Sequence, residues 1–134
     1  MKFWDWNHIK AEEVTSSQWK KSLDADNVTV AMVELLEGAR TPAQTLGTEQ
    51  VILVLQGALR VQVRQEEVTL RANQMLSVPA RVEYSALALK TASFVTVRMA
   101  GAGGVLEERG SLGDGGFQED PGVKYDPDQY LWAV

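Results

Sequence analysis

The stretch Gly38-Ala39-Arg40-Thr41-Pro42-Ala43-Gln44-Thr45-Leu46-Gly47-Thr48-Glu49-Gln50-Val51-Ile52-Leu53-Val54-Leu55-Gln56-Gly57 decides how the rest of the chain is read. Its first half is polar and broken by Gly38 and Pro42. Its second half is an uninterrupted apolar run, Val51 to Leu55, closed by the turn pair Gln56-Gly57. A run this short, rich in β-branched residues and bounded by turn signals, predicts a strand apolar on both faces. It is far too short to cross a bilayer as a helix.

Working outward, the same texture repeats. Val28, Val30 and Met32 alternate with Thr29 and Ala31 before the stretch, and Leu59, Val61 and Val63 alternate with Arg60, Gln62 and Arg64 after it. Further strands are expected at Val68 to Leu70, Met75 to Val78, Val82 to Leu89 and Ser93 to Met99, separated by turn chemistry at Glu37-Gly38, Gln65-Glu66, Ala72-Asn73 and Pro79-Ala80. Many short strands at regular intervals imply an all-β sandwich or barrel.

Three regions follow: an amino-terminal arm over 1–27, a barrel over 28–99, and a glycine-rich linker with a docking tail over 100–134. The arm carries Trp4, Trp6 and Trp19, which are expected to cover one sheet; a short helix within Ala11 to Leu23 is one option, against which Val14-Thr15 and the serine pair argue. Seven of the sixteen residues from Gly101 to Gly116 are glycine, a composition that loses much entropy on ordering and reads as a linker. Beyond it Phe117, Tyr125, Tyr130, Leu131 and Trp132 are anchors expected to dock on the barrel or on a neighbouring subunit.

Composition narrows the chemistry. With 134 residues the chain suits one domain with a real core. Cysteine is absent, which removes disulfides, thiolate metal sites and cysteine nucleophiles. A net charge of −5 repels a phosphate backbone, so no nucleic-acid partner is expected. The start Met1-Lys2-Phe3-Trp4-Asp5-Trp6 lacks the apolar stretch of a secretory signal, and no membrane association is expected. A cytoplasmic location is the expectation.

The spacing of the opening stretch resembles that of the cupin family. The first cupin motif is glycine, five residues, His-x-His, three or four residues, Glu or Gln, six residues, glycine; this chain has Gly38, Gln44, Leu46, Gln50 and Gly57 at those steps. The second motif is glycine, five residues, proline, one residue, glycine, two residues, histidine, and Asn73, Pro79, Arg81 and Tyr84 fall there. The resemblance covers about residues 28 to 99. The arm and the Asp128-Gln129-Tyr130-Leu131 ending are similar, less specifically, to small single-domain bacterial cupins. The resemblance implies a double-stranded β-helix, the cupin or jelly-roll-like barrel, and a two-fold homodimer paired through an edge strand or an exchanged arm.

In the family the paired histidines lie on one strand, where alternate side chains share a face, so both imidazoles enter the barrel. Here the corresponding inward set is Gln44, Leu46, Gln50 and Tyr84. An amide is a poor ligand for a transition metal, leucine is none, and a phenol binds only after losing a proton near a pKa of about 10. No metal and no other cofactor is expected. The single histidine, His8, sits in the arm, and Glu49 and Glu83 have the outward strand parity. Ser77 and Ser85 lack a histidine with which to form a triad.

Three readings of the interior stay open from sequence. In the first, Gln44, Leu46, Gln50 and Tyr84 line a metal-free pocket for a small polar, sugar-like or carboxylate-like ligand, with Arg40, Arg81 or Arg98 supplying charge at its mouth. In the second, Tyr84 is a general acid or base in a metal-independent isomerase, epimerase or sugar ring-opening enzyme. In the third, side chains fill the barrel and the protein has a structural or interaction role. The balance of these leans away from an enzyme, and metal-dependent oxygenase or isomerase chemistry is not expected.

Overall fold

The computed structural model describes residues 1–99 and the backbone of 105–109. Among the described residues, nine strands follow a 3-10 turn at Trp6–His8: β1 (Glu12–Thr15), β2 (Gln18–Asp24), β3 (Val28–Leu35), β4 (Ala43–Leu46), β5 (Gln50–Val63), β6 (Glu66–Arg71), β7 (Met75–Val78), β8 (Tyr84–Met99) and β9 (Val105–Arg109). Every pairing is antiparallel. No helix among the described residues is long and apolar enough to cross a membrane.

Two layers arise because β5 and β8 run side by side and both belong to each layer. In the first layer the order is β1, β2, β3, the 92–99 half of β8, the 50–56 half of β5, and β7. In the second it is β9, β4, the 84–90 half of β8, the 58–63 half of β5, and β6. The inner faces meet in one core that includes Val33, Leu35, Ile52, Val54, Leu59, Val61 and Phe94. Each such side chain contributes about 1.5–3 kcal/mol relative to exposure. This two-layer antiparallel arrangement is the expected jelly-roll barrel.

The corner where β5 passes between layers corrects the sequence reading. Gln56-Gly57 is not a turn between strands but a bulge inside one strand, with register shifts between Val54 and Leu59. Gly57 has φ +86°, and a Cβ there would stand 2.1 Å from the Thr91 carbonyl oxygen, so glycine is required twice over. The facing segment of β8 stays continuous, and the two strands expected at 82–89 and 93–99 are one.

Left-handed backbone recurs at each glycine step of the two motifs. Gly38 and Gly57 have φ +85° and +86°, and Asn73 and Arg81 have φ 70° and 65°. Asparagine tolerates this region through its short polar side chain; arginine adopts it at a cost.

Three other expectations change. The 11–23 segment holds no helix: β1 and β2 form a hairpin in which the Ser17 N–H donates to Thr15 Oγ1 at 3.0 Å. β-Branched Val14 and Thr15 favour that outcome. β1 pairs with β2 and all seven residues of β2 pair with β3, so the sheet begins at Glu12, within the stretch read as an arm. Val105–Arg109, inside the stretch read as a linker, forms β9 along β4. The expected docking of the tail from Phe117 to Trp132 falls outside the described residues.

Candidate functional site

Strand register assembles a polar row on each inner face. Across the first layer, Thr29, Arg98, Gln50 and Val78 stand opposite one another on β3, β8, β5 and β7. Across the second, Gln44, Tyr84 and Val63 do so on β4, β8 and β5. The rows are joined through side chains. Gln50 Nε2 donates to Tyr84 Oη at 2.7 Å, and Tyr84 Oη donates to Gln44 Oε1 at 3.2 Å. Gln44, Gln50 and Tyr84 are 1%, 0% and 3% exposed.

The chain of amide, phenol and amide is incomplete at one end. Gln50 Oε1 is buried and accepts no hydrogen bond. A buried acceptor in that condition costs about 1–3 kcal/mol of lost solvation. Leu46, two residues beyond Gln44 on the same face, is buried and packs in the apolar core.

Of the four residues expected to converge, Gln44, Gln50 and Tyr84 are hydrogen-bonded together, and Leu46 shares their face. The three arginines separate. Arg98 is buried in the row beside Gln50, inside the barrel rather than at a mouth. Arg40 and Arg81 are exposed and join no part of the row; Arg40 bridges Leu87 through its backbone, and the Arg81 N–H donates to the Leu46 carbonyl at 2.8 Å. Sequence reasoning passed over Thr29 and Lys20, both buried on the inner face of the first layer. The usable signal was parity: Thr29 shares its face with Ala31, Val33 and Leu35. Thr29 Oγ1 in turn donates to Asp24 Oδ1 at 2.8 Å.

The donor set does not fit a transition metal. Two neutral amides, a phenol and a leucine stand where coordination would occur, and no three His, Cys, Asp or Glu side chains converge among the described residues. The His8 side chain is 83% exposed, 3.5 Å from Asp5. Glu49 is exposed and accepts a hydrogen bond from Ser77 Oγ.

Beside the polar rows lies a cleft of about 990 Å³ between β6 and β7, where the two layers end. Its wall includes Val61, Val63, Val68, Leu76, Pro79 and Val82, with Arg64 and Glu67 among its charged residues. Val63 is also the ladder partner of Tyr84, so this cleft of mixed apolar and polar wall lies one strand spacing from the polar row.

No family model matches the sequence, and no curated protein matches it significantly. Solved structures do match. KdgF from Halomonas sp. superposes with a TM-score of 0.68 at 19% identity, covering 73% of this chain and 94% of that one. An RmlC-like cupin from Shewanella frigidimarina gives 0.69 at 17% identity, covering 74% and 90%. A salicylate 1,2-dioxygenase from Pseudaminobacter salicylatoxidans gives 0.61 at 18% identity, covering 63% of this chain and 27% of its own. With the two-layer strand order and the four left-handed motif positions, these likenesses establish that the chain has the cupin fold.

Proposed function

We propose that the protein is a metal-free cupin-fold binding protein that takes a small molecule with a polar, sugar-like or carboxylate-like head and an apolar body. The observation that carries this reading is the unmatched Gln50 Oε1 at the end of a buried amide–phenol–amide chain, in a barrel whose mixed apolar and polar cleft is lined by Val63, the ladder partner of Tyr84. A ligand hydroxyl or protonated acid would donate to that oxygen, and the cleft would shelter the remainder. Ligand sites commonly combine an apolar wall with a few convergent polar groups.

The test is thermal unfolding of the purified protein against glucuronate, galacturonate, salicylate and gentisate. Salicylate belongs in the panel because one fold neighbour is a salicylate dioxygenase. A binder raises the melting temperature progressively with concentration, by mass action on the native state. Gln50→Leu should abolish the rise while the protein stays folded. If none of the four shifts the wild type, the filled-barrel reading takes its place. Elemental analysis tests the metal-free part, which stoichiometric zinc, iron, manganese or nickel in the native protein would overturn.

One observation favours a second reading, in which Tyr84 moves a proton in a metal-independent isomerisation or ring opening. The phenol oxygen accepts from Gln50 Nε2 and donates to Gln44 Oε1, so its proton sits within a buried hydrogen-bonded chain. On this reading turnover survives a chelator and is lost in Tyr84→Phe; binding that persists in Tyr84→Phe without any turnover in the wild type returns the site to the first reading.

A further inference from the structure

The net charge of −5 is not spread evenly along the chain. Residues 110–134 hold five acidic side chains, Asp114, Glu119, Asp120, Asp126 and Asp128, against Lys124, so −4 of the total falls there and −1 on residues 1–109. The same segment carries the anchors Phe117, Tyr125, Tyr130, Leu131 and Trp132. Sequence leaves their destination open.

The outer face of the second layer carries the complementary charge. Strand parity turns Leu59, Val61, Leu70, Ala86 and Ala88 inward, so Arg60, Arg71 and Leu87 point away from the barrel. Register sets Arg40, Leu87, Arg60 and Thr69 in one row. Glu67, also outward, lies 3.9 Å from Arg60. Beside the row a depression of about 250 Å³ is lined by Ala43, Gln62, Arg64, Glu83, Tyr84 and Ser85. Ala43 is the ladder partner of Arg109, the last residue of β9, so the chain leaves the sheet level with this depression. The outer face of the first layer offers apolar side chains without the cations: its central rows are Val30, Val97 and Val51, then Met32, Val95 and Leu53.

We propose that residues 110–134 lie across the outer face of the second layer of their own chain, with acidic groups against Arg40, Arg60 and Arg71 and an aromatic anchor in the depression beside Arg64. Reach permits it. From β9 to β6 is four strand spacings, about 19 Å, and the seven residues 110–116 span up to about 23 Å when extended. Exposed ion pairs are individually weak, so a tethered segment has the advantage over a free acidic partner: it meets the face at an effective concentration on the order of millimolar. Arg64 also lines the larger cleft between β6 and β7, so the docked segment reaches the rim of the candidate binding site. The assignment does not depend on what the barrel binds.

The chain has no cysteine, so Ala133→Cys takes a single nitroxide spin label in the otherwise native full chain. In amide NMR spectra the label should broaden Gln62, Ser85 and Leu87 more than Val30, Val51 and Val97 on the opposite layer. Arg60→Glu combined with Arg71→Glu should reduce that broadening at least about threefold, and so should 1 M salt, where the screening length falls to about 3 Å. Should the double variant fail to fold, salt makes the same test. Broadening that is greatest on the first layer, equal on both layers, or unmoved by charge reversal and by salt overturns the proposal. So does broadening seen only on isotopically labelled, cysteine-free chains mixed with nitroxide-bearing ones, since the segment then docks on another copy.

Discussion

The corners of this barrel and its inner wall have parted company. At the corners the cupin geometry is intact: φ is positive at Gly38, Gly57, Asn73 and Arg81, even where the side chain is no longer glycine. On the wall the chemistry usual to the fold is gone, with Gln44, Leu46 and Tyr84 where imidazoles would stand. Backbone conformation at a few bends and a continuous apolar core hold the barrel.

The most damaging way to test the corners is Gly57→Ala. An added Cβ meets backbone, the Thr91 carbonyl at 2.1 Å and the Ala92 Cα at 2.8 Å, so no rotamer change relieves it. Separating β5 from β8 at their bulge disturbs both layers, and a loss of about 3–5 kcal/mol, in the range of the severest point mutations, is expected in urea unfolding. Gly38→Ala adds a Cβ with nothing within 4 Å, so only the cost of positive φ remains, about 1–2 kcal/mol. If the two variants were equally destabilised, close approach at the corner would not be what Gly57 provides.

The wall answers to smaller changes. Tyr84→Phe removes the group that accepts from Gln50 Nε2 and donates to Gln44 Oε1, which leaves a buried amide donor unmatched and should cost about 1–3 kcal/mol. Gln50→Leu deletes the donor and the unmatched Oε1 together, and Tyr84 keeps its acceptor in Gln44; its effect on stability should lie within about 1 kcal/mol of zero. Chemical denaturation of both variants checks the contrast. A Gln50→Leu protein as unstable as Tyr84→Phe would mean that Gln50 is held by more than the bond to Tyr84, and that its free oxygen is not a vacant acceptor kept for a ligand.

How much of this was legible in advance follows the same division. Alternation over Val28–Leu35, the two-sided run of β5 and the glycine spacing led to the barrel because each is a local consequence of strand geometry. The convergence of Gln44, Gln50 and Tyr84 was legible through motif spacing. What stayed hidden depends on partners distant in the chain. A bulge at Gly57 and a turn at Gly57 have the same residues, and only the continuing ladder to β8 distinguishes them. Val105–Arg109 lies among glycines and becomes a strand because β4 offers it an edge. Arg98 reads as a surface charge in isolation, while its parity with Phe94 and Thr96 carries it inside.

Arg81 makes the finest test of the corners, because there the residue opposes the backbone it adopts. Its φ of 65° is held by the N–H bond to the Leu46 carbonyl at 2.8 Å, a backbone contact that any residue but proline makes. The side chain is exposed and no contact of it is lost on truncation to glycine that bears on the core. Arg81→Gly should therefore relieve about 1–2 kcal/mol of left-handed strain, offset by up to about 1 kcal/mol of extra freedom in the unfolded chain. A net gain of up to about 1 kcal/mol, seen as a higher urea midpoint with an unchanged slope, is the expected outcome. A lower midpoint would show that the arginine side chain supports the loop leading into Tyr84, and that corner and wall are coupled after all.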